Sequence, residues 1–202
     1  LENLHFIAGL GNPGPEYAAT RHNVGFMLVD RLVSRWHAAW AMEKKFQARL
    51  AKVKREGRDV ILCQPQTFMN DSGEAVGALG RFYQLPPNRM LIVVDDADLT
   101  LGQLRMRAEG SSGGHHGLES IERQLGTREY PRLRLGIGRR APEQREITDH
   151  VLGRFEAEER KVMEEVLDRA VRQVECWLAD GIEQAMNEFN GAVTVPAEKG
   201  KQ

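Results

Sequence analysis

Four short stretches of the chain carry side chains able to do chemistry at neutral pH: Asn12 with His22, Asn70, Asp95, and the pair His115 and His116. A histidine can serve as a general base near neutrality, a carboxylate can orient it, and amides can bind a carbonyl. That inventory fits attack of water on an activated acyl bond, without a covalent intermediate, a metal or another cofactor. No serine or cysteine lies on a nucleophile-elbow pattern, and there is no HExxH. A metal-assisted alternative would use His22, Asp95, His115 and His116, but these have no recognised ligand spacing.

The elements that must position these groups alternate in an α/β manner. Residues 4–10 read as a strand. Residues 23–40 read as a helix with Val24, Met27, Leu28, Leu32 and Trp36 on one face. Residues 47–54 and 59–64 flank Gly57 and predict a hairpin. Residues 65–70 are a loop, after which Asp71 or Ser72 can cap a helix. Residues 90–94 are a strongly apolar strand running into Asp95, with 101–107 expected to pair beside it. A glycine-rich loop, Glu109 to Gly117, leads to a helix and then a strand at 133–137. Residues 157–179 form a long amphipathic helix carrying Val162, Val166, Ala170, Val174 and Trp177, and a short helix ends near Phe189. The expected fold is α/β: a single domain over 1–190, a twisted mixed β-sheet flanked by helices, with a C-terminal amphipathic helix. Residues 191–202 read as a polar, disordered tail.

Gly9-Leu-Gly-Asn-Pro-Gly14 matches the dinucleotide fingerprint. That fingerprint needs a helix starting at once, so that a pyrophosphate sits on its N-terminus. Pro13 and Pro15 interrupt, and the helical pattern begins only near His22. The nucleotide reading is set aside on those grounds.

The chain has 202 residues, and its net charge of −1 hides an asymmetry. Residues 101–145 carry 9 basic against 5 acidic side chains, all the basic ones arginine, whereas 146–202 carry 7 against 13. Arginine forks suit phosphate. No apolar run approaches the roughly 20 residues that span a membrane. With no signal-peptide pattern, a cytoplasmic monomer is expected. Cys63 and Cys176 read as buried free thiols of a reducing compartment.

Six motifs occur in order: Gly9-Leu-Gly-Asn-Pro-Gly-Pro-Glu-Tyr-x-x-Thr-Arg-His-Asn-x-Gly25, Pro65-x-Thr-Phe-Met-Asn-x-Ser-Gly73, Asp95-Asp-x-Asp-Leu99, Gly110-Ser-x-Gly-Gly-His-x-Gly117, Arg132-Leu-Arg-Leu-Gly-Ile-Gly138 and Val151-Leu-Gly-Arg-Phe155. The set resembles the bacterial-type peptidyl-tRNA hydrolase family over roughly residues 4 to 190. The resemblance implies hydrolysis of the ester between a peptide, or an N-blocked aminoacyl group, and the 3′ end of tRNA. It implies His22 as the base, Asp95 as the group that holds its working tautomer, and Asn12 as the amide that tells a blocked peptidyl group from a free aminoacyl one. Phe68, Met69 and Asn70 match residues that hold the peptide end and terminal adenosine, and Tyr17 a substrate-contacting tyrosine. Arg105 and Arg134 match basic positions at the 5′-phosphate region of the tRNA. Peptidyl-tRNA is then the partner, through its acceptor stem, 3′ adenosine and peptide. Where the family commonly has asparagine after the loop histidine, this chain has His116. An imidazole cannot donate and accept as one planar amide does, so an added acid-side dependence of activity is expected.

The bland readings stand beside these. Asp96 and Asp98 shape a turn, His115 bonds loop backbone, Phe26, Trp36 and Trp40 pack, and Arg139 and Arg140 sit on a solvated loop. The alternative function is a non-catalytic RNA- or partner-binding protein of the same fold.

Overall fold

A computed structural model describes residues 3–138 and 147–194 of the chain. Its centre is the apolar run of strand β1 (Leu4–Gly9), every residue of which is buried. Such a run belongs in the middle of a parallel sheet covered on both faces. It pairs in parallel with β4 (Arg58–Pro65) on one side and β5 (Met90–Asp96) on the other. The hairpin predicted around Gly57 joins β3 (Ala48–Arg55) to β4, and β2 (Ala41–Glu43) forms the edge beyond it. On the other side lie β7 (Arg132–Gly136), β6 (Gln103–Arg107) and β8 (Gly191–Ala192). The sheet runs β2-β3-β4-β1-β5-β7-β6-β8.

Strand alternation divides the core into two layers. Ile7, Leu62, Leu91 and Val93 pack with helix α1 (Val24–Arg35) and helix α5 (Ala157–Asp180). Phe6, Ala8, Cys63, Ile92 and Val94 pack instead with α2 (Ser72–Tyr83) and α3 (His116–Leu125). Two short helices, α4 (Ile147–Val151) and α6 (Ile182–Phe189), complete the chain. The amphipathic C-terminal helix is α5. Met163, Val166, Leu167, Ala170, Val171, Val174 and Trp177 are buried along it, the larger side chains each contributing about 1.5–3 kcal/mol. Val162, expected on that face, is half-buried.

Several expectations need correction. Helix α1 ends at Arg35 rather than continuing to Trp40, and His37 takes a left-handed φ of 53° just after it. Trp40 lies outside the helix and donates its indole N–H to Asp30. Neither Asp71 nor Ser72 caps α2 through its side chain; the Ser72 hydroxyl donates to the Met69 carbonyl. Strand β6 pairs with β7, not with β5. The crossover through α3 slots β7 in parallel beside β5 and leaves β6 one place further out. Strand β2 and helix α4 carry no clear periodicity and were not anticipated. Cys63 is buried and burial pushes its thiol pKa up, but Cys176 is only half-buried. The segment read as a tail begins paired to the sheet, since Gly191–Ala192 bonds to β6. Residues 195–202 and the Arg139–Arg140 reading lie outside the described residues. Among the described residues, no helix is long and apolar enough to cross a membrane.

The first glycines acquire a reason here. A Cβ on Gly9 would lie 2.0 Å from the Gly25 carbonyl oxygen, and one on Gly25 would lie 2.5 Å from the Leu10 backbone. The end of β1 and the start of α1 touch through bare backbone. These glycines set a close approach of strand and helix, not a phosphate cradle.

Candidate active site

The close approach of β1 and α1 brings Asn12 and His22 to the end of the sheet. His22 occupies a single 3-10 turn, Arg21–Asn23, ahead of α1. Asn23 locks that turn to the preceding loop. Its side chain accepts from the Asn12 backbone N–H at 2.9 Å and donates to the Asn12 carbonyl at 2.9 Å. The Asn12 side chain in turn uses its oxygen to accept the Met69 backbone N–H at 2.8 Å. An amide whose oxygen is engaged has its NH₂ left to donate. Asn12 therefore offers a donor to the cavity it lines.

Asp95 lies near the end of β5 and is 2% exposed. One of its oxygens, Oδ1, takes both His22 Nδ1 at 2.8 Å and His115 Nε2 at 3.0 Å. Burial alone would raise the Asp95 pKa. The His115 and His22 rings more than offset this and hold the carboxyl well below the usual carboxylate range. The tautomers follow from the contacts. His115 Nδ1 accepts the Leu118 backbone N–H at 3.4 Å, capping α3, so its proton is on Nε2 and donates to Asp95. His22 donates from Nδ1, which leaves the lone pair on Nε2. His115 was expected to bond only loop backbone; it also shares the carboxylate with His22.

A cavity of about 630 Å³ opens over these groups. Its lining brings together Asn12, His22, Phe68, Met69, Asn70, Asp95, His116 and Arg134. It does not include Tyr17 or Arg105. Tyr17 stands against the cavity rim, its ring 6.4 Å from Phe68 and edge-on to it. Phe68 is 56% exposed and Asn70 is exposed, whereas Met69 is buried. His116 begins α3 and its side chain is 77% exposed, with Nδ1 3.1 Å from Glu119 Oε2. It stands at the mouth of the cavity, paired to its own helix. Part of the lining is apolar: Ile147, Val151 and Leu152, with Thr148, come from α4 and the residue after it, and of these the sequence had singled out only Val151 and Leu152, within a motif and with no role.

The arginines form a second feature. Arg105 is directly opposite Arg134, and Arg107 opposite Arg132, across the antiparallel pair β6–β7. Period-two alternation puts all four on one face, a costly arrangement of like charges. The two inner ones are buried and used by the protein. Arg132 donates to the Gly110 carbonyl at 2.6 Å and the Arg128 carbonyl at 2.9 Å. Arg134 donates to the Ser111 and Ser112 carbonyls, both at 2.9 Å, and to Asp96 Oδ2 at 3.3 Å. The glycine loop that carries His115 thus hangs on two buried guanidinium groups. Arg105 is 45% exposed, its nearest carboxylate being Asp96 at 4.0 Å. The other Asp96 oxygen accepts the Asp98 and Leu99 N–H groups, as its turn-shaping reading required. Arg-x-Arg in both strands was the sequence signal for Arg107 and Arg132.

Among the described residues, His22, Asp95 and His115 also form the one group whose ligand atoms, within 4.8 Å of one another, could hold a metal ion. The two imidazole nitrogens concerned already sit at hydrogen-bond distance from the same Asp95 oxygen.

Comparison with known proteins agrees with this architecture. The family model described as "Peptidyl-tRNA hydrolase" matches residues 6–198. A peptidyl-tRNA hydrolase of Synechococcus sp. (strain JA-3-3Ab) is 50% identical over 187 residues, covering 93% of this chain and 83% of the relative. One from Caldanaerobacter subterraneus subsp. tengcongensis is 47% identical over 188 residues, covering 93% of this chain and all of the relative. The crystal structure of peptidyl-tRNA hydrolase from Acinetobacter baumannii superposes with a TM-score of 0.88 at 38% identity, covering 95% of this chain and 97% of that one. With the matched region spanning nearly the whole sheet and every wall of the cavity, the chain belongs to the peptidyl-tRNA hydrolase family and is an ester hydrolase.

Proposed function

We propose that the chain hydrolyses the ester joining a peptide, or an N-blocked aminoacyl group, to the 3′ end of tRNA, by direct attack of water. The observation that carries this reading is the 2.8 Å contact of His22 Nδ1 with a buried, ionised Asp95. It leaves His22 Nε2 to take a proton from water, and Asp95 stabilises the imidazolium that forms. Attack on the ester carbonyl gives a tetrahedral oxyanion. The free NH₂ of Asn12 is a suitable donor to it or to the neighbouring peptide carbonyl. His22 then returns its proton to the departing ribose hydroxyl, so that free peptide and free tRNA are the products.

The same donor supports selectivity for blocked substrates. A peptidyl group presents a carbonyl acceptor near the ester, whereas a free aminoacyl group presents only ammonium donors, which an amide N–H cannot bind. Asn70 and Phe68 at the rim, with Met69 beneath them and Tyr17 beside them, are assigned to the peptide end and terminal adenosine. RNA contact is assigned to the Arg105 face, reading phosphate and stem shape rather than sequence.

The test is hydrolysis of N-acetyl-aminoacyl-tRNA by wild type and His22→Ala. The variant is expected to lose at least about 10²-fold in turnover while still binding tRNA. Turnover should also survive chelation; loss of activity with EDTA, restored by a divalent metal, would favour metal chemistry at His22, Asp95 and His115 instead.

A further inference from the structure

Arg21 immediately precedes His22, and it is 4% exposed. Its Nη2 donates to Glu159 Oε2 at 2.6 Å, and its guanidinium carbon lies 5.2 Å from the centre of the Phe155 ring. Its backbone N–H donates to the Gly153 carbonyl at 2.9 Å, and the neighbouring Thr20 forms a β-bridge with Arg154. Glu159 is held as well. The same Oε2 accepts the Glu156 backbone N–H at 2.7 Å and closes the capping box of α5. Gly153 has little room to be anything else, since a Cβ there would lie 2.9 Å from Arg21 Nη1.

Arg21 therefore holds the stretch after α4 by its backbone, at Gly153, and the first turn of α5 by its side chain, at Glu159. The apolar wall of the cavity, α4 and Leu152, runs directly into that stretch. Helix α4 has no fully buried residue; it is held by Val151, half-buried against the core, by His150 Nε2, 2.6 Å from the Gly138 carbonyl oxygen, and just past its end by Arg21. Burying a guanidinium is costly, and Arg21 Nε has no partner among the described residues. Tying α1 to α5 does not need that cost. Arg31 already does so at the surface, reaching Glu164 and Asp168. The buried pair fixes the turn that bears His22 against the start of α5, to which the chain comes from the wall.

We infer that Arg21 is a positioning residue, setting the His22 base against the α4 wall through Glu159 and Gly153. This rests on the reading of His22 as the base. An acyl group seated on the wall and a water held by His22 must meet at one carbon. A misplacement of about 1 Å between reacting groups costs up to about 100-fold.

The experiment measures single-turnover rate, KM and thermal midpoint for Arg21→Met, Arg21→Lys, Glu159→Gln, the Arg21→Met/Glu159→Gln pair and Arg31→Gln, with His22→Ala alongside. Arg21→Met and Glu159→Gln should each lower kcat by about tenfold or more, while KM moves less than about twofold. The double variant should be no slower than the slower single one, and Arg21→Lys should recover part of the rate. Arg31→Gln should change only the thermal midpoint. If Arg21→Met does not fold, Glu159→Gln and Arg21→Lys, which conserve size, carry the comparison. Normal kcat in folded Glu159→Gln and Arg21 variants, with His22→Ala inactive, overturns the clamp alone. An equal loss in Arg31→Gln also overturns it, as general loosening of α1 against α5. Full turnover in His22→Ala overturns the clamp together with the base.

Discussion

The floor and the rim of the cavity are built differently. On the floor, two sets of hydrogen bonds, Asn12 with Asn23 and Asp95 with His22 and His115, are anchored at strand ends and at the starts of α1 and α3. On the rim, Phe68, Asn70 and His116 are exposed, as is Arg105 outside the lining on β6, and their partners are few. Chemistry needs groups fixed before the substrate arrives, because reorganisation during reaction adds to the barrier. Recognition of many peptides on one tRNA end needs groups that can adjust. The difference teaches that substitutions on the floor should lower kcat, and those on the rim should alter binding.

The largest departure short of the base itself is expected for Asp95→Asn. An amide oxygen can still accept from one ring but has no charge to stabilise an imidazolium. Turnover should fall by about 10²–10⁴-fold with tRNA affinity kept. A loss of affinity instead would erase the distinction between floor and rim. Next comes Arg134→Ala, which straddles it. Removing Arg134 frees the Ser111 and Ser112 carbonyls as well as a charge, so both turnover and tRNA binding should weaken. Arg105→Ala should leave saturated turnover alone and reduce the salt slope of binding by about one. Equal kinetic effects from the two would show that the buried arginine is no part of the loop's support.

A smaller effect concerns acid stability. Asp95 is held below its ordinary range, so its contribution to stability is complete above about pH 4 and is lost as pH falls below that. Urea midpoints of wild type and Asp95→Asn should converge as pH drops through that window; a constant gap would contradict the ionised floor. The smallest effect is expected for His116→Asn. The side chain is paired to Glu119 on its own helix and largely in solvent, so stability should change by no more than about 0.5 kcal/mol. A pronounced change in the pH–rate profile of this variant would move His116 from the rim to the floor.

The rim and floor were not equally legible in the sequence. Strands with apolar runs, such as β1 and β5, and the long period of α5 were readable because burial fixes residue type at every second or every third to fourth position. The order of the sheet past β5 was not, since nothing local tells β6 that β7 will insert beside it. Asn12, His22 and Asp95 stood out in the sequence as polar groups near strand ends, and the structure brings all three to one cavity. The link from His115 to Asp95 was not, because it closes over 20 residues through a glycine loop hung on Arg132 and Arg134. The wall of α4 was legible only as the motif beginning at Val151, and not as a helix, for a related reason. It is a short helix with no buried stripe, and its contacts, Val151 on the core and His150 with the Gly138 carbonyl, are made to residues distant in the chain.

The most direct measurement is the single-turnover rate of N-acetyl-aminoacyl-tRNA hydrolysis at saturating enzyme, for wild type and His22→Ala, with tRNA affinity measured on the same preparations. A rate lower by at least about 10²-fold with affinity unchanged is the predicted result. A near-normal rate for His22→Ala would contradict the account.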